Sequence, residues 1–427
     1  MNKLYLGVKK VDITPKVGCQ MIGYESDLYS EEIHDNLDAT AFVFQSGETA
    51  AVLVSATVCV VHKDISTVIR KQAEAQLGIP YDNIIIAATH THSGPCTGEP
   101  IDRDYTDNIF IPQILSAIRQ AKEAMVPVTM GYACGDSLVG INRREPRLRD
   151  NKIILGQCPW GPFDPRMTAI SFKNEEGQTV ATMIHYGAHA TASGINHTIS
   201  QDWPGVMVKR IDALTGATAA FFNGAIGDVG PRITNGCTVG DVPMAQELGG
   251  VAAQDATRVL KNVTLYTDAD VKGVTAQMNL PLKTRIPLEV AQEKLQAFVG
   301  VDGVSSDIAI QQYYEGVVKS YADPDFKEAE YITEEQTILR IGNLVFVGFG
   351  YEIFCEISLR IQKDNPNFVI LPVTNANAYY AYFPTQSAIS RGGYEIDMFR
   401  TKYVQEYVDD ADYHLICETL KNIEKVV

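Results

Sequence analysis

The sequence predicts an α/β fold, a mixed β-sheet core with flanking helices, and three observations carry that prediction. Apolar runs of strand length alternate with segments of helical spacing along the whole chain. Two runs, Ala39 to Phe44 and Ala50 to Val58, flank Gln45-Ser46-Gly47-Glu48, a hairpin signal. A third run, Asn83-Ile84-Ile85-Ile86-Ala87-Ala88, reads as a buried strand. At 427 residues, 45% hydrophobic and 21% charged, the chain has the material for a sizeable core.

Taken in order, Tyr5 to Ile13 alternates like a strand and stops at Thr14-Pro15. Asp64 to Leu77 has helical spacing and ends at Gly78, a good residue for closing a helix. Tyr105 to Ala124 reads as a helix, Pro127 breaks the pattern, and Val128 to Ala133 and Ile153 to Gly156 read as strands. Strands Met167 to Phe172 and Thr179 to His185 follow. Asp202-Trp203-Pro204-Gly205 reads as a helix start, Asp202 the N-cap and Pro204 in the first turn, with the helix running to Leu214. Ala219 to Phe222 is a short strand entering the glycine-rich loop Asn223 to Pro231. Val242 to Leu260 is helical and Val271 to Leu282 a strand. Leu288 to Phe298 and Ile308 to Tyr321 are helical, and Thr337 to Val347 is a strand pair around Gly342-Asn343. A helix at Ile353 to Gln362, a strand at Phe368 to Val373 and a helix at Asp412 to Ile423 close the chain. With no internal repeat or low-complexity linker, residues 1–427 read as one domain, and 283–336 as a candidate helical insertion.

The formal net charge of −16 argues against nucleic acid as a partner and against simple electrostatic docking on anionic membranes. The eight cysteines are scattered without a C-x-x-C pair and read as mostly reduced. The sequence has no apolar run long enough to span a bilayer and no visible signal peptide. A cytoplasmic location is the expectation, and a periplasmic or secreted one if a signal has been removed. The expected partner is a small-molecule substrate, and an oligomer is left open.

The chemistry concentrates in Thr89-His90-Thr91-His92-Ser93-Gly94-Pro95, just past the buried strand. Strand ends of this kind are where open α/β folds bind ligands. While the chain stays extended, His90 and His92 point to the same side and face one point, as a metal or a polarised carbonyl needs. His34, His62 and His414 read as structural, whereas His185, His189 and His197 cluster after a strand. Glu352 follows Gly348-Phe349-Gly350-Tyr351 and opens a helix, whose N-terminus would hold its carboxylate towards a cleft. Tyrosines recur in Asn377 to Thr385 and in Gly392-Gly393-Tyr394-Glu395. A phenol has an ordinary pKa of about 10, and a nearby Zn²⁺ favours its phenolate.

The ordered set Thr89 to Pro95, His189-Ala190-Thr191, Asp202 to Gly205, Gly227-Asp228-Val229, Glu352 and Tyr382 to Tyr394 resembles the catalytic domain of the neutral/alkaline non-lysosomal ceramidase family. The opening Gly7 to Pro15 resembles that family's start, and the likeness extends from residue 5 to about 410. The resemblance implies that His90, His189, Glu352 and Tyr382 bind Zn²⁺, an N₂O₂ donor set that suits the ion. It implies that His92 faces the substrate carbonyl or the attacking water, that Tyr394 donates to the oxyanion, and that Arg143 lies at the site and anchors substrate. Gly224, Gly227 and Gly230 would let backbone approach the substrate. Two departures stand out. Gly230 occupies the position of a family serine, which excludes a serine-assisted step there, and no C-terminal immunoglobulin-like domain follows before Val427. The expected activity is zinc-dependent hydrolysis of an amide, on a substrate other than ceramide itself. The alternatives are an ester, a lactone or a sugar-linked group at the same zinc site, or a non-catalytic metal-containing binding protein.

Overall fold

The computed structural model describes residues 2–24, 27–98, 101–300 and 305–427. Its sequence-predicted mixed sheet is two sheets stacked face to face. The larger has eight strands, in the spatial order Thr218–Asn223, Thr179–Tyr186, Arg166–Lys173, Val126–Asp136, Leu4–Asp12, Asp38–Ser46, Thr49–Ala56 and Ile84–Ala88. Its two outermost pairs are parallel and the pairs between them antiparallel. The smaller sheet runs Val271–Pro281, Tyr331–Ile341, Leu344–Phe349 and Val369–Thr374, with the last pair parallel.

Period-two alternation sorts the side chains into layers. Phe42, Phe44, Leu53, Ile85, Phe172 and Phe222 of the large sheet meet Leu339, Phe346, Leu371 and Val373 of the small one in a single core. The alternate residues Val43, Val52, Val54, Ile84 and Ile86 face outward, onto the helices Lys63–Leu77 and Ile111–Glu123. On the opposite side Ile338, Val345, Val347 and Ile370 face the helices Cys355–Lys363 and Ala411–Ile423. The order is therefore helix, sheet, sheet, helix, and it explains why so many strands are apolar on both faces. Phe346 is 1% exposed and packs on Phe222 with ring centroids 6.4 Å apart. Phe346→Ala is expected to cost about 3–5 kcal/mol, read as a lowered denaturant midpoint at unchanged slope.

The local signals locate most elements. The hairpin pairs Ser46 with Thr49, and Gly78 closes its helix at φ 65°. The Val242–Leu260 helix has the expected bounds. The expected helix from Tyr105 begins earlier and is interrupted: Arg103–Tyr105, a wider π turn over Thr106–Phe110, then Ile111–Glu123. Pro112 has no N–H for the carbonyl four residues back, and the wide turn immediately precedes it. Helices Leu288–Ala297 and Ser305–Ala322 pack on each other around Ala291, Tyr313 and Val317, a small cluster apart from the main core. Among the described residues no helix is long and apolar enough to cross a membrane.

Candidate metal centre

The C-terminal ends of the parallel strands converge where the two sheets meet. Ala87 bridges Ala376, the Ala88 N–H donates to the Asn375 carbonyl at 3.2 Å, and Asn223 Nδ2 donates to the Thr89 carbonyl at 3.0 Å. His90 lies just past Ile84–Ala88, His189 just past Thr179–Tyr186, and Glu352 just past Leu344–Phe349. This is the strand-end position that the sequence pointed to.

The way His90 reaches it differs from the expectation. The chain does not stay extended, since His90 sits at φ 67°. The left-handed turn, with Thr91 bridged to Ala190, brings the two imidazoles together, so strand alternation is not the cause. Among the described residues, His90, Asp202, Asn375, Asn377 and Ala381 are five of six non-glycine residues with positive φ. Of these, His90 and Asn375 meet at 2.9 Å, and Ala381 immediately precedes Tyr382.

At that point the donors face one another. His90 Nδ1 donates to the Cys59 carbonyl at 2.7 Å, and His189 Nδ1 lies 2.9 and 3.1 Å from the carbonyls of Ile226 and Val229. Each tether puts the proton on Nδ1 and leaves Nε2 with a lone pair. Those lone pairs aim at the Glu352 carboxylate, 3.4 Å from His90 and 2.9 Å from His189. The three ligand atoms lie within 4.8 Å of one another and all three residues are buried. His189 Nε2 and both Glu352 oxygens have no hydrogen-bond partner. Lone pair against carboxylate in a dry site is unfavourable without a cation between them. Burial acts to raise the Glu352 pKa, yet the positive charges that can face it, with Arg143 the permanent one, hold it down at about 2. Burial and the Arg143 charge depress His189 to about 4. The donor set therefore pairs a neutral His189 imidazole with an ionised carboxylate beside His90, which fits a divalent ion of zinc's kind. Cys59 forms a second close group with His90 and His92, but its Sγ is 3.7 Å from a His90 nitrogen already tethered to a carbonyl. Burial and the Glu352 charge keep it a thiol.

The remaining expected residues surround this group. His92 Nε2 is 3.1 Å from His90 Nε2, and burial with the two neighbouring imidazoles drives its pKa well below the ordinary value. Tyr382 stacks on His189 with centroids 6.5 Å apart and packs edge-on to Tyr394 at 5.6 Å. Burial pushes the Tyr394 phenol up to about 12 against the pull of Arg143. Arg143 is 5% exposed, lies beside the Tyr382 ring, and donates from Nε to Glu395 at 3.0 Å. Its Nη2 has no partner. Glu395 also takes Nη1 of Arg144 at 2.6 Å.

Two expectations are corrected here. Glu352 does not open a helix: Glu352–Ile353 is a short strand parallel to Tyr382–Phe383, and the helix begins at Cys355. That register sets Glu352 directly beside Tyr382. Asp202 is not an N-cap but the first helical residue, at φ 59°. Its carboxylate accepts from the N–H groups of Ala192, Ser193 and Trp203 and from Ser193 Oγ, which meets Ser93 Oγ at 2.9 Å. Asp202 thus clasps the two histidine-bearing loops together. The three glycines of the loop also lie close against the protein's own atoms. A Cβ at Gly227 would lie 2.3 Å from the Glu352 carbonyl oxygen, one at Gly224 3.1 Å from His185, and one at Gly230 2.7 Å from the Thr238 side chain.

The other flagged histidines stay apart from the centre. His185 Nε2 meets the Pro372 carbonyl at 2.7 Å, and His197 Nδ1 meets the Tyr29 carbonyl at the surface. The sequence reading missed Asn375, whose amide is 2.9 Å from His90 Nδ1, and Glu395. Asp228 was named only within Gly227-Asp228-Val229 and given no role; it accepts from the N–H of Cys355 at 2.8 Å and so fixes the helix after Glu352. For Asn375 a signal existed: like His90, it is a polar residue just past an apolar strand.

Known proteins resemble this chain in sequence and fold. Residues 4–248 match the family model described as neutral/alkaline non-lysosomal ceramidase, N-terminal. The neutral ceramidase of Pseudomonas aeruginosa is 26% identical over 249 residues, covering 53% of this chain and 37% of that protein. Neutral ceramidase A of Dictyostelium discoideum is 28% identical over 264 residues, 55% of this chain and 37% of that protein. These matches span little more than a third of the relatives' length. The crystal structure of the Pseudomonas aeruginosa neutral ceramidase has the same fold, with a TM-score of 0.74 at 18% identity, over 100% of this chain and 75% of that one. The matched segment, which carries His90, His92, Arg143 and His189, is more than half of the sequence, and the chain belongs to the neutral/alkaline non-lysosomal ceramidase family.

Proposed function

We propose that this chain is a zinc-dependent hydrolase that cleaves an amide bond of an N-acyl substrate. One observation carries the reading: two histidines tethered through Nδ1 turn their Nε2 atoms onto an unpartnered, buried carboxylate. His90, His189 and Glu352 would hold the ion, with Tyr382 beside them as the fourth ligand. When bound, Zn²⁺ supplies a Lewis acid that brings the pKa of a bound water down to about 7.

The chain's own residues do the rest. His92, neutral because burial and the adjacent imidazoles depress it, takes the proton of the attacking water and delivers it to the leaving amine. Tyr394, still protonated with its pKa at about 12, donates its hydroxyl to the developing oxyanion. Arg143, anchored by Glu395, presents its open Nη2 to a carbonyl or hydroxyl of the substrate. Gly230 supplies no hydroxyl, and Thr238 fills the space a side chain would take there. That supports a water-based route and a substrate distinct from those of the named relatives, with esters and lactones as the next candidates.

The test is turnover of a panel of N-acyl amides, esters and lactones by the zinc-loaded protein. His92→Ala and Tyr394→Phe are each expected to lower kcat/KM by about 10²–10³-fold while bound zinc stays at the wild-type level. A protein that binds zinc but turns over nothing on the panel would instead be a metal-containing binding protein.

A further inference from the structure

Arg143 and its neighbour Arg144 are cations built into the candidate site, and they share one counter-ion. Arg143 Nε donates to Glu395 Oε1 at 3.0 Å and Arg144 Nη1 donates to Glu395 Oε2 at 2.6 Å, and all three side chains are buried. Arg144 spends a further nitrogen on the Gly392 carbonyl at 2.6 Å. Among the described residues, the ion pairs of both arginines are with Glu395 alone. Asp228, another buried acid of this region, is engaged elsewhere. It accepts from the Cys355 N–H at 2.8 Å and from Asn142 Nδ2 at 3.2 Å, and burial pushes its pKa up to about 7. Two positive charges therefore meet one negative charge away from water.

The surplus charge sits in the site itself. Arg143 Nη2 is buried and has no hydrogen-bond partner. The guanidinium lies 5.3 Å from the centre of the Tyr382 ring, and Tyr382 pairs in register with Glu352 and packs on Tyr394. Burial is the largest influence on the pKa values of Glu352, His92, His189 and Tyr394, and the Arg143 charge acts to lower all four. The open donor thus belongs to the cation nearest the group of residues that would hold the reacting carbonyl. A buried guanidinium N–H without an acceptor is costly. A neutral carbonyl or hydroxyl oxygen would satisfy the donor and leave the surplus charge in place. A carboxylate accepts charge-assisted hydrogen bonds and also balances the two arginines with a second anion.

We propose that Arg143 is the specificity-determining residue of this site, and that it selects amides bearing a carboxylate beside the scissile bond, as in N-acyl α-amino acids. The inference rests on the hydrolase reading and narrows its substrate class. The carboxylate stands either on the amine portion, next to the scissile nitrogen, or on the acyl portion, as in the half-amide of a short dicarboxylic acid. The guanidinium recognises the same group in both. Water adds across the C–N bond, the acyl carbon leaves as a carboxylic acid and the nitrogen as an amine, and the recognised carboxylate passes through unchanged.

The zinc-loaded full chain is assayed on two matched pairs. One is N-acetyl-leucine against N-acetyl-leucinamide, and the other N-propylsuccinamic acid against N-propylsuccinamide, followed by release of propylamine. Within each pair one carboxylate is replaced by a neutral amide. At least one acid should exceed its neutral partner in kcat/KM by about thirtyfold or more, the scale of a buried charge pair. The pair that shows the preference tells which portion carries the carboxylate. Arg143→Gln should bring that ratio close to one, and Arg143→Lys should keep part of it. The wild-type comparison stands whether or not the variants fold well. Calorimetric titration of the same compounds into zinc-loaded His92→Ala should show the same preference as a difference in affinity. Equal kcat/KM within both pairs for wild type, or a preference for the acid that survives Arg143→Gln, would overturn the proposal and leave the hydrolase reading standing. Preferential binding of an acid with no turnover of any amide by wild type would support the anion site and defeat only the hydrolase reading.

Discussion

Glu352→Gln is expected to abolish metal binding and to lower kcat/KM at least about 10³-fold on any substrate the protein accepts. Glutamine keeps the shape of the side chain but removes the charge and adds N–H donors. In the present arrangement the two Nε2 lone pairs of His90 and His189 converge on a carboxylate with no proton between them. An amide N–H can be accepted by one of those lone pairs, so the metal-free variant gains a hydrogen bond where the parent has a repulsion. That hydrogen bond offsets the lost attraction between the carboxylate and Arg143, so the metal-free variant should stay close to the metal-free parent in stability. The parent should gain stability with added zinc in proportion to the logarithm of its concentration, and the variant should gain none. Had Glu352 been the anion of a buried ion pair, its neutralisation would instead cost about 3–5 kcal/mol with or without zinc. Thermal melts of both proteins across a zinc titration separate the two cases.

Gly227→Ala is expected to damage the centre without touching a ligand. Its Cβ would stand 2.3 Å from the Glu352 carbonyl oxygen and 2.9 Å from the Phe354 ring. The nearest obstacle is backbone, which cannot swing aside as a side chain can. The Gly227 N–H also donates to the Ile353 carbonyl at 3.0 Å, so the loop and the Glu352 strand move together. Overpacking at such a contact costs about 1–3 kcal/mol. The displaced carboxylate should weaken zinc binding by about 10–100-fold, the scale set by losing a ligand's support. Gly316→Ala is the control: its Cβ meets only Val404, at 3.5 Å, within the Ser305–Ala322 helix, and alanine there should be neutral or stabilising. Equal zinc affinity for Gly227→Ala and the parent would mean that the Glu352 strand is not held in this way.

Much of the fold was legible because its signals are local. The Asp38–Ser46 and Thr49–Ala56 hairpin shows in its turn residues, and the Lys63–Leu77 helix in its period and in Gly78. The stacking of two sheets was not legible. Strand Leu344–Phe349 is apolar on both faces, and only its distant partners reveal which face meets the other sheet. The seven expected site residues do gather in one place, since each lies in a short string that survives in the primary sequence. What the strings conceal is conformation. Nothing in Thr-His-Thr-His announces the positive φ of His90, and Asp202 before Trp-Pro-Gly has the look of a helix cap while its carboxylate faces the loop of Ser193. Asn375, Asp228 and Glu395 act through partners far away in sequence, so no spacing rule finds them.

The central claim is that His90, His189 and Glu352 hold one divalent ion. Elemental analysis of the purified full chain, before and after zinc reconstitution, tests it most directly when run beside Glu352→Gln and His90→Ala. The account predicts about one zinc per chain in the parent and a loss of that zinc in both variants. A parent that takes up no zinc after reconstitution, or variants that keep it at the parent's stoichiometry, would contradict it.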